Sequence, residues 1–166
     1  MESSTLSRIS FGTNYKIDCI RDGKIVWSID DDNLVVNTGL EYAMHRIFGD
    51  EEKAEWRIGL CTNANSSPGD TAESHEFIEY MGTTNDRRPV AEFEDGGVDV
   101  NKYTYVATDV QAMITGTETL VGIFMTTGMM KGVDDGTLYG VASFSEPKNV
   151  VPGDALLITV TVSAKG

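Results

Sequence analysis

Along most of the chain apolar residues recur at every second position, the period of a strand with one face buried. In the last segment Leu156, Ile158, Val160, Val162 and Ala164 share one face, and Leu157, Thr159, Thr161 and Ser163 the other. This predicts a half-buried antiparallel strand from Ala155 to Ala164, preceded by similar patterns at Thr119 to Met125 and Thr137 to Ser145. At the start, Tyr15 to Ile20 and Lys24 to Ile29 alternate around Arg21, Asp22 and Gly23. An Asp-Gly pair between two such runs is a strong hairpin signal. Trp56, Ile58 and Leu60 alternate with Arg57, Gly59 and Cys61, and shorter strands are expected at Val90 to Glu94, Tyr103 to Thr108 and Val110 to Thr115.

One segment departs from this period. Val36, Leu40, Ala43, Met44, Ile47 and Phe48 recur at helical spacing, which predicts an amphipathic helix near residues 38–48, packed on the β-rich body. Thr38 and Glu41 have capping-box spacing, Arg46 suits the last turn, and Gly49 is placed to end the helix in a left-handed conformation. Thr62 to Ser74, rich in Asn, Ser, Gly and Pro, reads as a long exposed loop; Asn85 to Pro89 and Glu94 to Asn101 read as polar connections. The Gly-rich segment Gly128 to Gly140 reads as a strand connection.

About nine short strands and one helix fit a mainly β fold, a single antiparallel β-sandwich or jelly-roll-like domain. The domain is expected over residues 15–166, with residues 1–14 either an N-terminal arm that orders on binding or a frayed terminus.

Composition changes the picture in one direction. The 166 residues carry 26 Asp and Glu against 13 Lys and Arg, a net charge of -13. Such a field repels a phosphate backbone, so direct nucleic-acid binding is not expected. No run of about 18 apolar residues is present, and the N-terminus lacks the basic and apolar regions of a signal peptide, so synthesis in the cytoplasm and no membrane partner are expected. Cys19 and Cys61 sit in strand-like runs without zinc-ligand spacing and read as reduced core or interface thiols, with a disulfide between them as the alternative.

Catalytic chemistry is thinly represented. His45 lies in the predicted helix and His75 just past the polar loop, neither spaced to a nucleophile, and no phosphate loop, dinucleotide fingerprint, GxSxG or HExxH occurs. Carboxylates cluster at Asp30 to Asp32, Asp50 to Glu52, Glu92 to Asp95 and Asp134 to Asp135 without EF-hand spacing, and read as solvated turns. No catalytic site, metal or cofactor is expected, and the chain does not read as an enzyme. Trp27 and Trp56 fall on apolar phases and read as core, whereas Tyr103 and Tyr105 share a face that suits an interface or cross-strand packing. Phe77, Ile78, Tyr80 and Met81 either anchor the polar loop or form an exposed apolar contact.

The order of parts resembles a family of small bacteriophage virion proteins. Asn33 to Leu40 opens a short helix; Trp56-Arg57-Ile58-Gly59-Leu60 matches a W-x-I-G-like strand, followed by the polar loop Thr62 to Ala72. Val121-Gly122-Ile123-Phe124 matches a late G-I-F-like strand, and Pro147, Val150, Gly153, Asp154, Leu156 and Val162 fit a closing P-x-x-V-x-x-G-D-x-L-x-x-x-x-x-V pattern. The resemblance spans most of residues 33 to 163 and implies a virion part. It includes capsid decoration, or cement, proteins and tail or fibre components.

A compact acidic module suits decoration of the outer capsid surface, with the major capsid protein and neighbouring copies of the chain as partners in a homo-oligomer. The contact residues expected are Ser7, Arg8, Ile9 and Phe11 in the arm, Asn63, Asn65, Ser67, His75 and Phe77 in or beside the loop, and Arg87 and Arg88 in the later connection. A tail or fibre host-recognition module is the alternative within a virion. A small glycan-binding or hydrolytic domain is the alternative of another class, and requires some of Asp30 to Asp32, Glu92, Glu94 and His75 to converge.

Overall fold

In the computed structural model, which describes residues 9–50 and 52–166, the chain folds into two antiparallel sheets packed face to face. One sheet orders its strands β2 (Lys24–Asp32), β1 (Ser10–Arg21), β11 (Ala155–Lys165), β8 (Lys102–Met113) and β7 (Glu94–Asp99). The other orders β3 (Leu34–Val35), β10 (Leu138–Val150), β9 (Glu118–Thr126), β4 (Trp56–Asn63) and β5 (Ile78–Glu79), with β6 (Val90–Ala91) also on β4. Helix α1 (Asn37–Phe48) follows β3. The fold is thus the mainly β sandwich with one short helix that the alternation predicts.

Strand β11 shows why the pattern folds this way. It lies between β1 and β8, and Leu156, Ile158 and Val160 point into the core while Leu157, Thr159 and Thr161 are only half-buried. Tyr15, Ile17 and Cys19 of β1 meet Leu120, Ile123 and Met125 of the opposite sheet in the main core. Asp22 and Gly23 both adopt positive φ, 51° and 74°, which suits the two-residue hairpin turn joining β1 to β2.

Several boundaries differ from the expectation. Ser10 to Asn14, assigned to an arm, are strand: Ser10 pairs with Lys165 and Asn14 with Thr161, so the sheet satisfies their backbone. Ser7 and Arg8 lie outside the described residues. The predicted strands Tyr103 to Thr108 and Val110 to Thr115 are one strand, β8, with Asp109 at φ 59° where the register against β11 slips. Glu94 to Asn101, expected as a connection, is mostly the edge strand β7 hairpinned onto β8, turning at Asn101 with φ 56°.

The polar segment after β4 is not a free loop. Asp70 is buried, and Ala64, Ala72 and Phe77 cover the outer face of the second sheet in a separate cluster with Val36, Cys61, Phe124, Leu138 and Val141. Asp70 holds the segment's turn, accepting from the Ser67 amide at 2.9 Å and the Ser67 hydroxyl at 2.9 Å. The Pro68 carbonyl accepts from the Asn37 amide at 2.8 Å and ties the segment to α1.

The helix also sits differently. Its N-cap is Val36, without a side-chain cap; Thr38 donates to the Leu138 carbonyl at 2.6 Å, and Gly49 is extended, not left-handed. Tertiary anchoring has replaced local capping. Gly39 is the helix residue that is fully buried, resting on the Tyr139 carbonyl where any β-carbon would collide. Of the apolar stripe expected to pack inward, Val36 is buried and Ala43 half-buried, whereas Leu40, Met44, Ile47 and Phe48 are turned out, 37, 47, 57 and 79% exposed.

Candidate functional site

Most of the sequence-predicted contact residues gather on the outer face of the second sheet and the adjoining connections. Asn63 is half-buried, Asn65 and Ser67 are exposed, and Arg87 is exposed beside Met130, with which it forms a bridge. His75 stacks on Phe77, ring centroids 3.6 Å apart, and its Nε2 lies 3.2 Å from Asp134 Oδ1. Phe77 itself is buried against Phe124, with centroids 4.7 Å apart, so it anchors the covering segment instead of offering a contact. Ile9 is exposed just before β1, and Phe11 is half-buried on β1.

Arg88 is likewise internal. Its Nε and Nη2 donate to the two oxygens of Glu79 at 2.8 Å each, and the two side chains are only 4 and 9% exposed. Arg88 Nη1 also donates to the Gly128 carbonyl at 2.9 Å, Nη2 to the Val133 carbonyl at 3.2 Å, and the guanidinium lies over the Phe124 ring, 5.3 Å from its centroid. Glu79 Oε2 accepts in turn from the Gly132 amide at 2.8 Å. Beside it Lys131 Nζ donates to Thr83 Oγ1 at 2.6 Å and to the Met81 and Thr83 carbonyls, and burial holds its ammonium below the ordinary lysine range. These cations fasten β5 to the 127–137 connection; they are spoken for. A cavity of about 340 Å³ adjoins them, lined by His75, Phe77, Glu79, Arg88 and Asp134 among others.

Exposed apolar residues collect around this end. Ile78, Met81, Met129, Met130 and Val133 are exposed, while Phe77 and Tyr80 are buried, which divides the apolar run after the loop into anchors and surface.

A larger cleft, about 730 Å³, opens between α1, the residues before β4, β6 and the start of β8. Tyr42, Trp56, Phe93 and Tyr105 line it together with Arg46, Lys53, Glu55 and Glu92. Tyr42 and Trp56 meet edge to face at 4.9 Å, and Trp56 meets Tyr139 at 5.4 Å. The Tyr42 hydroxyl accepts from the Ala54 amide at 2.9 Å and donates to the Glu52 carbonyl at 3.0 Å, clamping the connector against the helix. Trp56 is packed against the core but not sealed in it, because β4 begins there and the sandwich ends. Tyr105 shares the inward phase of β8 with buried Ala107, yet is 45% exposed.

Of the residues some of which must converge for a hydrolytic site, Asp30 to Asp32 are on β2 and Glu94 on β7, the opposite edges of one sheet; Glu92, between β6 and β7, lines the larger cleft, and His75 lies outside the other sheet. Among the described residues no group of three His, Cys, Asp or Glu side chains is placed to hold a metal ion, and no helix is long and apolar enough to cross a membrane. Cys19 and Cys61 are both free and buried, in different clusters on either side of the second sheet. Burial is the main cause that pushes the Cys19 thiol up to about 12, and it raises Cys61 as well.

Comparison with protein-family models, with curated proteins and with solved structures finds no match to this chain.

Proposed function

We propose that the protein is a structural component of a bacteriophage virion, a decoration protein that binds the outer capsid surface by protein–protein contacts. The observation that carries this reading is the outward apolar stripe of α1. A helix that buries Gly39 and exposes Leu40, Met44, Ile47 and Phe48 has its hydrophobic face set for a partner, not for its own core. The stripe is small, so one copy binds weakly, and a lattice of many copies multiplies weak contacts through avidity. The resemblance in the order of parts from Asn33 to Val162 supports the virion setting. Exposed Ile78, Met81, Met129, Met130 and Val133 offer a second apolar patch, suited to neighbouring copies.

The test is location and loss of binding. Antibody-labelled electron microscopy of virions is expected to decorate the capsid; labelling confined to the tail, or absent from particles, overturns the reading. Met44→Asp/Phe48→Asp changes only exposed side chains, so the variant is expected to fold, with a melting temperature within a few degrees of the parent. Its occupancy on purified capsids is expected to fall at least about tenfold.

A further inference from the structure

We infer that the cleft between α1 and the start of β8 is a carbohydrate-binding groove that takes an oligosaccharide of equatorially substituted pyranoses. This goes beyond the assembly reading and does not depend on it: lattice contact uses the outward stripe of α1, whereas Tyr42 and Arg46 of the same helix line the groove.

Three observations converge. The first is composition: of 12 Phe and Tyr and 2 Trp in the whole chain, four aromatic residues line one open cleft of about 730 Å³. Faces of such rings match the C–H faces of pyranoses, which stack without a charge on the ligand. The second is unspent polarity. Lys53 and Glu92 line the cleft and make no hydrogen bond or ion pair with any other described residue. One supplies donors and the other acceptors, the pair of functions that adjacent sugar hydroxyls need, since each hydroxyl both gives and takes a hydrogen bond. Glu55, by contrast, is held by Arg57, and the Tyr42 hydroxyl is spent on the connector, so these two position the wall.

The third is continuity. Tyr103, two residues before Tyr105 and on the same face of β8, has its ring centroid 5.7 Å from that of Tyr105 and extends the aromatic surface outward from the cleft. A row of rings on the scale of single sugar residues suits a chain of them better than a compact ligand. Lys53 and Glu92 carry opposite charges, in a protein of net charge -13. The long-range field of such a protein disfavours an anionic saccharide and favours a neutral one. A nucleic acid meets the same repulsive field.

The experiment uses the full chain with Trp27→Phe, so that Trp56 is the sole reporter of tryptophan fluorescence, titrated with cellohexaose, maltohexaose and N-acetylchitohexaose. Saturable binding of at least one is expected, with a change in Trp56 emission. Tyr105→Ala and the pair Lys53→Ala/Glu92→Ala each alter surface residues, and each is expected to weaken binding at least about tenfold. Ile25→Ser, at the exposed start of β2, is expected to leave it unchanged. Calorimetry on the parent chain repeats the measurement without relying on fluorescence. No saturation by any of the three up to about 10 mM overturns the inference, as does binding that survives both groove variants. Neither failure bears on capsid occupancy, which the α1 variant measures separately.

Discussion

Arg88 is the residue on which the apolar end of the molecule turns. It reaches Glu79, two carbonyl groups and the Phe124 ring at once, and a guanidinium is the one side chain whose planar fork serves all of them. Arg88→Met leaves Glu79 with a carboxylate 9% exposed and the Gly132 amide as its remaining partner among the contacts described. We expect a loss of about 3–5 kcal/mol in urea unfolding. The double variant Arg88→Met/Glu79→Met is expected to recover most of it, because the cost lies in the orphaned charge and not in the absence of the pair. A double variant no more stable than the single would show that packing of the guanidinium on Phe124 dominates. Gly59 of the W-x-I-G-like segment has an equally local reason: the Phe124 ring of the neighbouring strand lies across it, where a β-carbon would stand.

At the scale of elements, the hairpin of β10 and β11 is closed by the Gly-Asp pair of the terminal pattern. Gly153 takes φ 94°, and Asp154, fully buried, accepts from the Val151 amide at 3.0 Å and from Arg21 of β1 at 2.7 and 2.8 Å. The Arg21 hydrogen bonds hold its carboxyl below the ordinary aspartate range. A depressed folded pKa gives stability that is complete above the unfolded value, about 3.9, and fades as pH falls through the folded one. Asp154→Asn is therefore expected to cost about 2 kcal/mol at pH 7, and the gap between variant and parent to close below about pH 4. Urea midpoints measured from pH 7 down to pH 2 check this; a gap independent of pH would assign the effect to shape alone.

Elements were legible in the sequence to the degree that local pattern fixes them. The β1–β2 hairpin, β4, β9 and β11 follow from alternation and one Asp-Gly turn. What stayed hidden depends on partners distant in sequence. Ala64 and Ala72 look like loop residues until the outer face of the second sheet is seen to lack a cover, and α1 looks inward-facing because spacing gives a stripe but not its direction. The groove was illegible for the same reason: Trp56 has the alternation of a core residue, and only the end of a sheet exposes it to Tyr42, Phe93 and Tyr105. Of the predicted contacts, Asn65, Ser67 and Arg87 are at the surface, while Phe77 and Arg88 proved to be internal fastenings.

For the whole molecule, two opposed properties govern association: a net charge of -13 and apolar residues left on the surface of α1 and around Met81. Like charges keep copies apart over a Debye length, and salt shortens that reach from about 20 Å to a few ångström. Sedimentation of the free protein is expected to show self-association rising between about 20 mM and 500 mM NaCl. A fall over that range would mean that ion pairs, not apolar contacts, join the copies.

The four sheet margins carry a consequence of their own. β3 and β5 are two residues long; β2 ends in Asp30, Asp31 and Asp32; and β7 begins Glu94-Asp95 before two glycines. Short, acidic or glycine-broken margins are poor templates for a foreign strand. A folded copy is thus a poor seed for fibrils even at high protein concentration.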